Sequence, residues 1–262
     1  MMKYDFIALT DTGRVRENNE DSVSFDAENG LGVLADGMGG YNAGEVASGM
    51  ATAFITLELG RWLVRAGAQA QAREIRRAME ICVDNTNLAI YNSANTNAQY
   101  AGMGTTLVVG VFHKDQLILG HIGDSRCYRW RDGHLLQITR DHSLLQEQLD
   151  AGLITSEQAA GSAIRNLVTR ALGIENTVAL EVSEHHVEPD DIYLMCSDGL
   201  TDMVGDSTIS TLFSGGGALD LLATRLVESA NACGGRDNIS VLLVNASRGV
   251  KKRGLVARLL GK

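Results

Sequence analysis

The chain has 262 residues, 45% of them hydrophobic, and a formal net charge of −9 at pH 7. That length suits one domain plus a tail, with ample chain to bury a core, and the apolar fraction excludes a disordered protein. Six basic residues and no acidic one fall in 247–262 (Arg248, Lys251, Lys252, Arg253, Arg258 and Lys262), leaving the body with 17 basic against 32 acidic residues, a balance that excludes a nucleic-acid footprint.

In chain order, Tyr4 to Thr10 and Ser22 to Phe25 read as early strands and Gly32 to Asp36 as a central one, being short β-rich apolar runs bounded by glycine and polar residues. Asn42 with Glu45 three positions on reads as a reciprocal helix cap, opening a helix from Ala43 to about Leu63. The next helix, about Ala68 to Tyr91, has Ile75, Met79, Cys82, Thr86 and Ile90 at helical spacing, a core stripe. Thr105 to Phe112, Leu117 to Gly123, Arg126 to Trp130 and Leu135 to Ile138 are strand candidates, with Asp132-Gly133 as a hairpin signal before the last. From His142 to Leu172 the pattern turns helical and polar. Two strands (Val178 to His186 and Asp191 to Cys196), two helices (near Ser207 to Phe213 and Ala218 to Ala232) and a last strand (Asn238 to Val244) complete the chain. Short turns between strands imply antiparallel pairing, and with the helical pairs they define an α+β class. Pro189 is the only proline, so no proline-rich linker divides residues 1–246, which are expected to form one domain followed by a basic tail, 247–262.

No run approaches about 18 apolar residues, and the start, Met1-Met-Lys-Tyr-Asp-Phe, lacks the apolar core of a signal peptide, so a cytoplasmic protein is expected. Cys82, Cys127, Cys196 and Cys233 are far apart in apolar contexts and form no C-x-x-C pair, so four buried thiols are expected.

Chemistry concentrates in three aspartates at or next to the ends of apolar runs: Asp36 in Asp-Gly-Met-Gly-Gly, Asp198 in Asp-Gly, and Asp237 in Arg-Asp-Asn. One Asp-Gly is ordinary turn chemistry. Three carboxylates gathered at strand ends would repel by about 2.8 kcal/mol per pair at ~6 Å and an effective dielectric of ~20, a conflict that cations remove. Hard oxygen ligands without cysteine or histidine select Mg²⁺ or Mn²⁺ over zinc, and a following glycine lets the backbone approach closely.

Further motifs are Arg16-Glu-Asn-Asn-Glu20-Asp21, Gly102-Met-Gly-Thr-Thr106 and Gly123-Asp124-Ser-Arg126. As an ordered set from about Asp5 to Val244 they resemble the type 2C family of metal-dependent serine/threonine protein phosphatases, and Met38, the compact length and Asp141-His142-Ser143 resemble its bacterial branch. The resemblance implies a central β-sandwich with helix pairs on both outer faces and a flap beside the cleft near 142–172. It implies two Mn²⁺ or Mg²⁺ ions and a third, weaker site. Asp36 would bridge both metals, with Asp198 and Asp237 completing the first and the Gly37 carbonyl binding the second. Glu20 and Asp21 would hold waters of the second, Asp124 with Asp198 would bind the third, and Arg16 would grip the substrate phosphate, a task suited to its planar fork.

The implied activity is hydrolysis of phosphoserine and phosphothreonine in proteins by a metal-activated water, opposing a eukaryote-like kinase of a bacterium, in a monomer. By its composition the basic tail reads as a solvated end or as a weak contact for an acidic surface or anionic lipid. No cysteine has an arginine six positions on, which disfavours a cysteine nucleophile. Met38 stands where some eukaryotic relatives carry a general-acid histidine, and a thioether cannot donate that proton. His142 is a weak substitute, and it, His121, His185 and His186 read as structural. Ser162-Ala-Ile164 departs from the His-Pro often found in the flap. The competing class is a catalytically silent phosphate- or metal-binding module; a nucleotide-binding loop lacks its glycine spacing.

Overall fold

The computed structural model describes residues 2–40, 43–155, 158 and 167–249. Two antiparallel sheets form its centre. One has the order β1 (Met2–Asp11), β11 (Ile239–Arg248), β10 (Ile192–Cys196), β7 (Arg126–Arg131) and β8 (His134–Gln137). The other runs β2 (Asp21–Asp26), β3 (Leu31–Met38), β5 (Leu107–His113), β6 (Gln116–Ile122) and β9 (Glu181–His186), with the short β4 (Gly104–Thr105) beside β3.

Side-chain alternation assigns each strand to two cores at once, because successive residues point to opposite faces. Phe6, Leu34, Val108, Phe112, Tyr193, Met195, Leu242 and Val244 fill the space between the sheets. On the outer face of the β3 sheet, Leu31, Val33 and Ala35 meet Ile55 and Leu59 of α1 (Ala43–Ala66) and Ile75 and Met79 of α2 (Ala72–Thr96). On the outer face of the other sheet, Leu194, Cys196, Val241 and Leu243 meet residues of three helices: α4 (Asp198–Thr201), α5 (Asp206–Ser214) and α6 (Leu219–Ala232). A further α-helix, α3 (Leu144–Asp150), has Ser143 as its N-cap, accepting from Gln146 N. The expected helix–sheet–sheet–helix sandwich is therefore present.

Several boundaries differ from the sequence reading. Thr105 to Phe112 is two strands, broken at Thr106. Asp36 lies within β3, which continues to Met38 because Gly37 and Met38 pair with Thr105 and Gly104. The last strand runs through Arg248, which pairs with Met2, so two positions assigned to the tail are in the sheet. The cap of α2 is Gln71, in a reciprocal arrangement with Glu74. Cys233, at the C-cap of α6, is exposed, against the expectation of four buried thiols; Cys82, Cys127 and Cys196 are buried. The hairpin at Asp132-Gly133 is present, with both residues at positive φ (50° and 79°), as a two-residue turn of that type requires. The Asn42 cap, the Ser162-Ala163-Ile164 departure and residues 250–262 of the tail lie outside the described residues.

Candidate metal centre

Five stretches of chain converge at one end of the sandwich. Asp21 and Asp36 are direct cross-strand partners on β2 and β3. The Asp36 backbone is fixed from both sides: its N–H donates to Thr106 Oγ1 at 3.0 Å, and its carbonyl accepts from Thr106 N and Thr105 Oγ1, each at 2.8 Å. Those bonds interrupt the ladder at Thr106, whose hydroxyl also shares a 2.7 Å hydrogen bond with Ser125, next to Asp124.

The Arg16–Asp21 loop is held by Asn238. Its side-chain oxygen accepts from Glu20 N at 2.7 Å, and its amide nitrogen donates to the carbonyls of Thr12 (3.0 Å) and Asn18 (2.9 Å). The Glu20 carbonyl accepts from Ser48 Oγ (2.6 Å) and Gly37 N (3.1 Å). The two Asp-Gly glycines allow these segments to touch: a Cβ at Gly37 would lie 2.2 Å from Gly44 O, and one at Gly199 would lie 1.9 Å from Asn238 O. Close approach, not a special φ, makes glycine necessary at both.

Arg16, Glu20, Asp36, Gly37, Asp124, Asp198 and Asp237 line one cleft of about 310 Å³, with Met38, Gly39, Thr106 and Val168. Asp21 is the one predicted site residue that does not line it. It lies beneath, 8% exposed, with Oδ2 accepting from Ser197 Oγ at 2.7 Å. Arg16 Nη2 donates to Asp237 Oδ2 at 2.6 Å, and Nη1 stands 3.9 Å from Glu20. His142 does not line the cleft. Asn238, Thr106 and Ser197 were not singled out from the sequence as positioning residues. Asn238 and Thr106 stand inside quoted motifs, and Ser197 immediately precedes Asp198, so adjacency was the available signal.

Electrostatics set this cluster apart. Burial, then the charges of Asp21, Asp198, Asp124 and Asp237, raises the Asp36 carboxyl well above the ordinary range. Burial and then Asp124, Asp202, Asp237 and Asp21 do the same to Asp198. Asp21 is pushed up to about 6 by burial, against the hydroxyls of Ser197 and Ser240, and Asp124 to about 6 by burial and Asp141. Glu20 is raised by burial, with Arg16 opposing. Carboxyls shifted this way by desolvation and one another are destabilised in their charged form, and a cation reverses the sign. Asp21 Oδ1 is buried and meets no hydrogen-bond donor. An all-oxygen donor set with an unmet buried carboxylate oxygen fits hard divalent cations.

The family model described as protein phosphatase 2C matches residues 12–240. The serine/threonine phosphatase stp of Listeria monocytogenes is 37% identical over 238 residues, which is 90% of this chain and 93% of that protein. The crystal structure of the Mycobacterium tuberculosis serine/threonine phosphatase PstP/Ppp superposes with a TM-score of 0.85 at 37% identity, covering 94% of this chain and 99% of that one. The catalytic domain of PstP in complex with two manganese ions does so with a TM-score of 0.82 at 37% identity, covering 95% and 100%. The chain belongs to the protein phosphatase 2C family, in its bacterial branch. It is an enzyme, a phosphoprotein phosphatase, and the sandwich implied by its motifs is that family's fold.

Proposed function

We propose that this protein hydrolyses phosphoserine and phosphothreonine in proteins, using two Mn²⁺ or Mg²⁺ ions held by the carboxylates of the cleft. The observation that carries the reading is the convergence of Asp36, Asp198, Asp237, Glu20 and Asp124 on one cleft beside the Arg16 guanidinium. PstP, a structural relative of similar size over this domain, is a serine/threonine phosphatase and binds two manganese ions.

Asp36 would bridge the two ions, Asp198 and Asp237 would complete the first, and the Gly37 carbonyl would bind the second. Glu20 and Asp21 would act on the second through water, and Asp124 with Asp198 would hold a third, weaker ion. When bound, such a pair supplies a nucleophilic water at neutral pH and neutralises charge on the phosphoryl oxygens. The chain's own residues position the rest. Asn238 and Ser48 hold Glu20, and Thr105 and Thr106 hold Asp36, so the carboxylates are set before substrate arrives. Arg16 lies at the cleft with one guanidinium nitrogen on Asp237, placed to take a phosphoryl oxygen. Met38 lines the cleft and cannot donate a proton, and no histidine lines it among the described residues. Solvent, or one of the carboxyls, then protonates the leaving oxygen.

We further propose that the substrates are those of a eukaryote-like serine/threonine kinase in the same cytoplasm. Residues 1–246 would form the catalytic domain, extended by the pairing of β11 to Arg248, with a basic tail that catalysis does not require. No described helix is long and apolar enough to cross a membrane. The test is phosphate release from a phosphothreonine peptide with Mn²⁺ and again after chelation. Release that requires the metal is expected; metal-independent release, or none in either condition, would overturn the assignment and favour a silent binding module.

A further inference from the structure

Behind the Asp124 turn lies a second group of donors. His121, His142 and Glu181 can bring one ligand atom each within 4.8 Å of one another. The hydrogen bonds determine what this group can do. Gly123 N donates to His142 Nδ1 at 3.2 Å, so that nitrogen is the acceptor and the ring proton sits on Nε2, which faces Glu181 Oε2 at 3.2 Å. His121 Nε2 is 2.8 Å from the Arg140 carbonyl and must carry a proton to donate to it. An Arg170 guanidinium nitrogen stands 3.5 Å from His142 Nε2 and already supplies positive charge there. The two imidazoles are stacked, with centroids 4.6 Å apart and planes at 16°, and burial lowers the His142 pKa, opposed by its bond to Glu181 and reinforced by the Arg170 charge. The group does not present free lone pairs to a cation. It presents a ring whose two nitrogens are both engaged.

The backbone of the same residue doubles the connection. His142 N donates to Gly123 O at 2.9 Å while the ring accepts from Gly123 N, so both polar groups of Gly123 are bonded to one residue. The His142 carbonyl accepts from Thr169 N at 2.8 Å, next to Val168, which lines the cleft and pairs with Ser143. Gly123 leaves no room for a side chain: with φ at 98°, a Cβ there would lie 2.7 Å from Thr106, the residue that fixes Asp36.

We infer that His142 is a positioning residue for the phosphatase reaction, clamping the Gly123-Asp124 turn to the Thr169 segment so that Asp124 and Val168 are held at the cleft together. It touches no reacting atom. The inference rests on the reading of Asp124 as a metal-site carboxylate, and its consequence is that removing the acceptor at the Nδ1 position loosens Asp124 and weakens cation binding.

Two substitutions separate the clamp from packing. His142→Phe keeps a ring against His121 but leaves Gly123 N without its acceptor, whereas His142→Asn places an amide oxygen where Nδ1 stood. Mn²⁺ affinity by calorimetry, kcat on a phosphothreonine peptide, and the ring tautomer of the unmodified protein by long-range ¹H–¹⁵N NMR are the readouts. His142→Phe is expected to weaken the loosest Mn²⁺ site and lower kcat by about tenfold or more, the scale of leaving one buried donor unpaired, and His142→Asn to return both to within about threefold. The NMR spectrum should show the Nε2–H tautomer. Wild-type Mn²⁺ binding and kcat in folded His142→Phe, equal impairment in both variants, or an Nδ1–H tautomer would overturn the inference. The tautomer decides the case if neither variant folds. Wild-type protein that binds Mn²⁺ but releases no phosphate would sink the phosphatase assignment alone, since affinity and tautomer still test the clamp.

Discussion

Asp21 offers the sharpest test of the carboxylate cluster, because it is the member fully withdrawn from the cleft. Its carboxyl rises from 3.8 to about 6 in the folded protein, chiefly from burial, with the charge of Asp237 adding to it. A carboxyl with a raised folded pKa leaves stability fully present below the unfolded value and lost as pH climbs through the folded one. Metal-free protein should thus lose about 3 kcal/mol to this group between pH 4 and pH 6 and carry the whole penalty at pH 7. Asp21→Asn removes the charge, keeps an oxygen for the Ser197 hydroxyl, and turns its amide toward the acidic Asp36. For a domain of this size each kcal/mol is worth about 2–4 °C, so metal-free Asp21→Asn should melt up to ~6–12 °C above metal-free wild type at pH 7, with the gap closing toward pH 4. Added Mn²⁺ should raise wild type more than the variant. The measurement is a melting series from pH 4 to pH 8 with chelator and with Mn²⁺. Metal-free Asp21→Asn melting at or below wild type across that range would refute the argument that burial and neighbouring charge hold Asp21 against ionisation.

Other expectations follow from the same geometry. Asp36→Asn and Asp237→Asn should fold yet lose peptide dephosphorylation; activity within about tenfold of wild type in either folded variant would remove that residue from the centre. Arg16→Ala should raise KM more than it lowers kcat, and because it frees Asp237 Oδ2 it should not raise the Mn²⁺ needed for half-maximal activity; unchanged KM would remove Arg16 from phosphate binding. Gly199→Ala must push the start of β11 away from α4 and should cost at least about 1–3 kcal/mol in a denaturant melt, with a wild-type midpoint counting against the close approach. A chain ending at Gly249, which keeps the Met2–Arg248 pair, should retain peptide activity and lose salt-sensitive binding to anionic vesicles; if the full chain shows no such binding at low salt, the tail has no anionic-surface role.

Much of this architecture was legible because the strands alternate cleanly. In β10 and β11, Leu194 and Val241 face one core while Tyr193 and Leu242 face another, and runs apolar on both faces stand out in a sequence. The site was legible where motif residues line the cleft. What escaped reading was decided by distant partners. Thr105 to Phe112 is uniformly β-like, and only the bonds between Asp36 and Thr106 break it. Ala246 to Arg248 has little strand character and is drawn into the sheet by the register with β1. Asp21 reads as part of a polar loop, yet pairing with Asp36 buries it. Asn238 occupies a short motif whose aspartate drew the chemical argument, although its amide is what ties the Arg16 loop to the centre.

The position of β11 has a further consequence for how the enzyme comes into being. The last described strand lies between β1 and β10, inside its sheet, and pairs with β1 along its whole length, Asp11 with Ile239 through Met2 with Arg248. The segment leading into it supplies both Asp237 and the amide that holds Glu20, whose loop leaves the ribosome some two hundred residues earlier. A nascent chain therefore has a split sheet and an unassembled centre until β11 emerges. Pairings of such long sequence separation close slowly. Assembly of the centre is in this sense tied to synthesis through β11: a product truncated before Asp237 lacks a cleft carboxylate and the clasp of the Glu20 loop.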